Sequence, residues 1–165
     1  MRFWFDTEFI DDGRTIDLLS IGIVAEDGRE LYLEIAETDW SKASPWVRDN
    51  VIVYLGKGPT VRREEARSHV LEFIGTDDPE IWAYYASYDW VALCQLFGTL
   101  MDLPAGWPRF CRDLKQLAKD LPLPAQTTTL HHALEDARWT RESWWYTWRI
   151  LRCSAGRANK ELKRP

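Results

Sequence analysis

Cysteine is scarce in this chain of 165 residues: Cys94, Cys111 and Cys153 are odd in number and far apart. None stands in a CxxC or Cys/His zinc spacing, which argues against a disulfide framework or a zinc site and makes a reducing, intracellular setting the default. Long apolar runs are missing too, so nothing reads as a membrane span. Acids arrive early, in Met1-Arg2-Phe3-Trp4-Phe5-Asp6-Thr7-Glu8, which does not suit a signal peptide. The expectation is a cytoplasmic protein with no membrane partner. Repeats, low-complexity stretches and linkers are absent, and the length fits one compact domain, read as 1–153 with a basic, flexible tail over 154–165. Positive charge is in short supply: the net charge of -5 argues against a broad electrostatic grip on long nucleic acid.

What charge there is lies unevenly. From Arg138 onward there are eight Lys/Arg against two Asp/Glu, and the rest of the chain carries a net of -11. An acidic body that must meet a polyanion needs metal ions, a basic edge, or both. Taken alone, the C-terminal charges read as a solvated helix and tail. Tryptophan is abundant, with ten residues, and most should be core. Trp144, Trp148 and Leu151 lie at helical spacing with Ala137 on the same side. Trp139 and Trp145 point elsewhere, toward packing, a partner surface or a stacked base.

The apolar pattern predicts strands over Arg2–Glu8, Asp17–Ala25 and Leu31–Ile35, the last two joined by a hairpin turn at Asp27-Gly28. A short helix falls within Ala43–Val53. A helix capped by Thr60 runs to Ile74 and stops at Gly75. Glu80–Ala86 is a fourth strand, and Ser87 caps a helix carrying Val91, Leu93, Leu96 and Phe97 before Gly98. Cys111–Leu121 reads as a strand-to-helix passage, and Ala133–Cys153 as a long final helix. Strands in hairpin order followed by alternating strands and helices give an α/β domain with a mixed sheet. Such sheets place sites at strand ends and on the loops that follow.

The acids fall at those points. Residues two apart in a strand share a face, so Asp6 and Glu8 form a carboxylate pair at the end of an apolar strand. Two ionised carboxylates so close repel unless a cation sits between them, and hard Mg²⁺ or Mn²⁺ suits their oxygens. On its own, such a pair is more often simply solvated. Asp89 lies in the first turn of a helix, where an acid favours the helix dipole and could also reach the sheet edge beside the first strand. The third element is His131-His132-Ala133-Leu134-Glu135-Asp136. Residues five apart diverge by roughly 140° on a regular helix. His131 and Asp136 therefore work together better if His131 lies on the loop before the helix and Asp136 inside it. That makes Asp136 a rigid metal ligand and His131 a base, since imidazole exchanges its proton near neutral pH. His132 reads as a helix-start or solvent-facing residue, and His69 as an ordinary surface one.

Asp-x-Glu near the N-terminus, a central Asp, and His-x-Ala-x-x-Asp before a last helix resemble the three exonuclease motifs of the DEDDh family, on a ribonuclease-H-like fold with a mixed central sheet flanked by helices. The resemblance covers nearly the whole chain. The runs Phe5–Ile10, Trp82–Leu93 and His131–Arg138 look closer still to the small actinobacterial 3′–5′ exoribonucleases. One departure stands out: many relatives carry Asn four residues before the central Asp, where this chain has Tyr85.

The resemblance implies a metal-dependent 3′–5′ exoribonuclease that releases nucleoside 5′-monophosphates from single-stranded RNA or an RNA 3′ overhang. Asp6, Glu8, Asp89, His131 and Asp136 would be catalytic, with Asp6, Glu8, Asp136 and Asp89 holding two Mg²⁺ ions, for which Mn²⁺ could substitute, and His131 as the base. Thr7, Phe9, Ile10 and Tyr85 would contact the substrate. Related exonucleases are often homodimers, and the surplus Trp on the last helix is compatible with one. Two other readings stay open. The same motifs serve DNA-directed proofreading or repair exonucleases, and an idle nucleic-acid-binding domain could occupy the same fold.

Overall fold

The structure, a computed structural model, describes the backbone of residues 1–161 and the side chains through Ser154. The elements are β1 (Arg2–Asp11), β2 (Ile16–Ala25), β3 (Glu30–Ile35), α1 (Pro45–Asn50), β4 (Thr60–Val61), α2 (Arg63–Ile74), β5 (Glu80–Ala83), α3 (Ser87–Phe97), β6 (Arg112–Asp113), α4 (Leu114–Ala118) and α5 (Ala133–Glu161).

The β2–β3 hairpin follows from its turn. Gly28 takes φ +93°, a conformation a side chain resists, and its N–H closes back on the Ala25 carbonyl at 3.0 Å. β1, β2 and β3 form an antiparallel meander, and β5 then adds parallel to β1 with β6 beyond it, giving the order β4-β3-β2-β1-β5-β6. The expected α/β class with a mixed, helix-flanked sheet is what forms. Alternation along β1 sends Phe3 and Phe5 into one core layer with α2 and α3. Trp4 goes to the opposite face, against Trp82, Leu114 and Trp144. Trp4 is fully buried, and truncating an aromatic of that kind to alanine costs about 3–5 kcal/mol.

Several local expectations shift. Thr60 is not a cap: it pairs with Glu34 in β4, and α2 starts later, where the Glu65 carboxylate accepts the Arg62 N–H at 2.9 Å. Ser87 is the first residue of α3 rather than its cap. The strand before it ends at Ala83, because Tyr85 turns the chain with φ +56° and its carbonyl accepts the Ser87 N–H at 2.7 Å. The last helix continues to Glu161, through much of the segment expected to be a flexible tail; residues 162–165 of that tail lie outside the described residues. Leu151 is exposed, not part of the buried stripe. The face of α5 that meets the sheet is built mostly from small residues, Ala133, Ala137, Thr140, Ser143 and Thr147, alongside Trp144. Small side chains let the helix axis come close to the strands, and Trp145 and Trp148 pack around Trp144 at the margin. No helix among the described residues is long and apolar enough to cross a membrane.

Candidate active site

Asp6 and Glu8 project from the same face of β1 as Trp4, in the middle of the strand rather than at its expected end, because β1 continues past Glu8 to Asp11. Across the strand pair they stand opposite Gly22 and Ser20. The register then slips between Glu8 and Phe9, because Leu19 is an extra residue on β2. Such a bulge re-aims the side chains beyond it. Leu18 joins the core under α2 and α3, while Leu19 packs with Ile10 beneath α1.

Gly22 brings the third acidic element down to the first. A Cβ at this position would lie 2.3 Å from the Leu134 amide nitrogen and 2.4 Å from the Ala133 carbonyl. The first turn of α5 therefore rests on bare backbone, directly across from Asp6, and delivers Asp136 to the β1 acids. Ligand atoms of Glu8, His131 and Asp136 lie within 4.8 Å of one another.

His131 sits in the turn just ahead of α5, with φ +60°. Its backbone N–H donates to Asp136 Oδ2 at 3.0 Å, and the amide of Gln126 donates to Asp136 Oδ1. The Trp46 ring, on α1, meets the His131 imidazole edge-on at 4.8 Å. Asp89 enters from the first turn of α3. Its Oδ1 accepts both the backbone N–H of Thr7 at 2.9 Å and the Thr7 hydroxyl at 2.7 Å. Thr7, expected to touch substrate, thus also holds Asp89 against β1.

Four carboxylates share this space, and each is pushed above its usual range. For Asp6 burial is the largest cause, followed by the charges of Asp89, Glu8 and Asp136. It keeps some surface exposure, but the atoms around it are dense enough that desolvation still dominates. Glu8 is pushed up to about 8 by burial, then by Asp136 and Asp89. Asp89 rises to about 6 through burial, even though its Thr7 hydrogen bonds pull the other way. Asp136 is raised by burial and drawn back by Gln126 and His131. Repulsion of this kind is relieved by a divalent cation, and four carboxylates beside a single imidazole suit a hard ion such as Mg²⁺ or Mn²⁺. The donor set fits the expected metal.

The acids floor a cleft of about 640 Å³ whose walls are aromatic. Phe9 and Tyr88 stack at 5.7 Å with planes 10° apart. Tyr84 meets Tyr85 on one side and Trp139 on the other. Tyr85 is 61 % exposed and projects into the cleft. Asn and Asp adopt its left-handed backbone more readily than Tyr does. The turn into α3 therefore favours Asn at this place whether or not the side chain touches substrate. Ile10 does not join the cleft. It is 1 % exposed and packs with Ala43, Val47 and Val51, so the expectation that its side chain brackets a nucleotide is corrected. The arrival of α1 over this end of β1 decides this, and it could not be read from strand alternation. Gly22, Gln126, Trp46 and Tyr88 were not singled out in the sequence. Only Gly22, a glycine inside a strand, carried a signal that could have found it, since such a glycine marks close backbone approach.

Residues 1–148 match the sequence model of the Rv2179c-like domain, described as a 3′–5′ exoribonuclease domain. The chain is 46 % identical over 147 residues to the 3′–5′ exoribonuclease Rv2179c of Mycobacterium tuberculosis, covering 84 % of this chain and 88 % of that one. The 3′–5′ exoribonuclease MT2234.1 of a second strain of the same species matches equally. Among solved structures, the zinc-bound complex of Escherichia coli exonuclease I with single-stranded DNA superposes with a TM-score of 0.62 at 9 % identity, covering 84 % of this chain and 38 % of that one. The Pan2 catalytic unit of Neurospora crassa gives a TM-score of 0.56 at 13 % identity, covering 99 % of this chain and 30 % of that one. At these identities the likeness speaks to fold alone, and the fold is that of the ribonuclease-H-like exonucleases.

Proposed function

The chain belongs to the Rv2179c-like 3′–5′ exoribonuclease family, and we propose that it shortens single-stranded RNA, or an RNA 3′ overhang, from the 3′ end, releasing nucleoside 5′-monophosphates. The observation that carries this reading is the meeting of Glu8, His131 and Asp136 within 4.8 Å on a cleft that Asp6 and Asp89 also line.

Each residue has a part that its position supports. Asp6, Glu8, Asp136 and Asp89 would hold Mg²⁺, two ions per site, with Mn²⁺ able to substitute. Bound there, such cations would supply acidified water and neutralise charge on the phosphate. His131 takes the proton of the attacking water on a ring nitrogen, from a turn that the Asp136 carboxylate fixes through the His131 N–H. Thr7 keeps Asp89 on the strand side of the cleft. Phe9, stacked on Tyr88, and Tyr85 offer flat apolar surface for the terminal nucleotide, since any base has a face to stack. The acidic body is then no obstacle to an RNA substrate, because two divalent ions would offset the charge of the four carboxylates. The proposal includes a single exonuclease domain over 1–153, a cytoplasmic setting, and a homodimer that uses the half-buried Trp145 and Trp148 of α5.

The test is a digestion ladder on matched 5′-labelled RNA and DNA with Mg²⁺, with Mn²⁺ and with excess EDTA. A ladder on RNA with mononucleotide 5′-phosphate product in either metal, and none in EDTA, is expected. Cleavage that survives EDTA overturns the metal site, and faster digestion of the DNA overturns the preference for RNA.

A further inference from the structure

We propose that Gln126 is a positioning residue for the cation site, its side-chain amide clamped on Asp136 so that this carboxylate faces the other ligands. The inference rests on the metal-dependent reading above and extends it to a residue outside the acid set.

Asp136 Oδ1 accepts from the Gln126 amide and Oδ2 from the His131 backbone N–H, the latter at 3.0 Å. An ionised carboxylate has about four acceptor positions. One donor on each oxygen fixes the plane of the group and leaves the remaining lone pairs for a cation. Without them the carboxylate turns easily, because the last torsion of Asp is broad and roughly two-fold.

Gln126 is held at this place by the helix it serves. It lies on the strap between α4 and α5, after Pro122 and Pro124. Trp139 donates its indole N–H to the Pro124 carbonyl at 2.9 Å. Trp139 is three residues after Asp136 on α5, and residues so spaced share a helix face. The strap is therefore pinned to the same face that carries Asp136, two residues ahead of the amide. A half-buried Gln126 then lines the cleft beside the acids.

The residue type fits the task. The contact calls for a donor, which an acid in its ionised form lacks. A lysine would donate, but its charge would compete with the cation for Asp136. A neutral amide orients the carboxylate and leaves its charge available. Outer partners of metal ligands commonly change metal affinity by roughly 10–100-fold when removed.

The experiment measures Mn²⁺ binding by electron paramagnetic resonance without RNA, and RNA turnover as a function of Mn²⁺, for the wild type, Gln126→Leu, Gln126→Met and Trp139→Phe. The two Gln126 variants remove the donor with side chains of similar length, so a folding failure in one leaves the other to decide. The expected result is Mn²⁺ binding weakened by roughly 10–100-fold in either, with turnover largely recovered at saturating Mn²⁺. Trp139→Phe, which keeps an aromatic ring and drops the indole N–H, shifts binding in the same direction by less. If the wild type binds Mn²⁺ and cleaves RNA while both Gln126 variants bind within twofold of it, the positioning role is overturned. A wild type that binds no Mn²⁺ overturns the metal-dependent reading itself and leaves the strap without this task.

Discussion

Gly22 stands directly across the β1–β2 ladder from Asp6, and the space its absent side chain leaves is filled by the first turn of α5. The relationship links a strand position with no chemistry of its own to the meeting of two acids far apart in sequence. Asp6 comes with the strand, whereas Asp136 reaches it because the helix can rest on bare backbone.

Gly22→Ala is therefore expected to damage activity more than stability. The added methyl would press on main chain at 2.3–2.4 Å, and the start of α5 must shift. Overpacking of this kind costs about 1–3 kcal/mol, whereas a misplacement of about 1 Å in a catalytic constellation costs about a hundredfold in rate. Thermal melting beside RNA turnover checks both, and a variant with full activity would show that the close approach does not position Asp136.

Asp6→Asn should separate function from stability in opposite directions. Burial and three neighbouring carboxylates push Asp6 upward, so a neutral isostere relieves the metal-free protein. The melting midpoint in EDTA is expected to rise by about 2–4 °C, equivalent to about 1 kcal/mol for a chain of this size. RNA cleavage is expected to fall by about a thousandfold or more, since cation stabilisation contributes several kcal/mol at 1.36 kcal/mol per factor of ten. Unaltered cleavage would remove Asp6 from the site.

The metal-free fold should lose stability as pH rises. Glu8 moves from an ordinary 4.5 to about 8 in the folded protein, with burial as the first cause. An acid raised on folding favours the folded state fully below its unfolded value, and that contribution disappears as pH climbs through the folded value. From pH 4.5 to about 8 the Glu8 carboxylate increasingly opposes folding, and a bound cation would offset the effect. The gain in melting midpoint on adding Mg²⁺ should therefore be larger at pH 8 than at pH 6. A gain that is equal or smaller at pH 8 contradicts a site built on these acids.

His131→Ala tests the division between base and ligand. A base is expected to contribute about a hundredfold to ten-thousandfold in rate, so RNA turnover should fall by that much while Mn²⁺ still binds. The imidazole lies within reach of the same point as Glu8 and Asp136. Loss of Mn²⁺ binding in calorimetry would accordingly make His131 a ligand instead.

Tyr85→Asn should exchange substrate affinity for stability. A left-handed backbone costs an ordinary residue about 1–2 kcal/mol, and Tyr85 holds φ +56°, so Asn is expected to stabilise the fold by about 0.5–1 kcal/mol. Loss of the exposed phenol ring should raise KM for RNA several-fold, because a stacked base is worth about 1–3 kcal/mol. Denaturant melts and steady-state kinetics on the same preparation read both effects, and an unchanged KM would leave Tyr85 as a turn residue only.

Local periodicity settled the first three strands, the existence of a fourth and the start of the final helix, because alternation in Phe3–Glu8 and the Asp27-Gly28 turn act over neighbouring residues, whereas the parallel pairing of β5 with β1 is a long-range contact. It also placed His131 ahead of the helix and Asp136 inside it, since residues five apart cannot share one face of a regular helix. The caps at Thr60 and Ser87 were misplaced for a tertiary reason: β3 recruits Thr60 as a strand, and the left-handed Tyr85 starts α3 without a side-chain cap. Ile10 falls outside the cleft because α1 and the segment after it cover it, a contact between distant parts of the chain.

The sequence by itself determined which acids and which histidine this protein has, and the strand or helix from which each projects. Only the tertiary structure decided that they meet, through the bare backbone of Gly22, the Thr7 grip on Asp89 and the Gln126 hold on Asp136. Those contacts join residues from distant parts of the chain, and pattern along a chain carries no record of a distance across it.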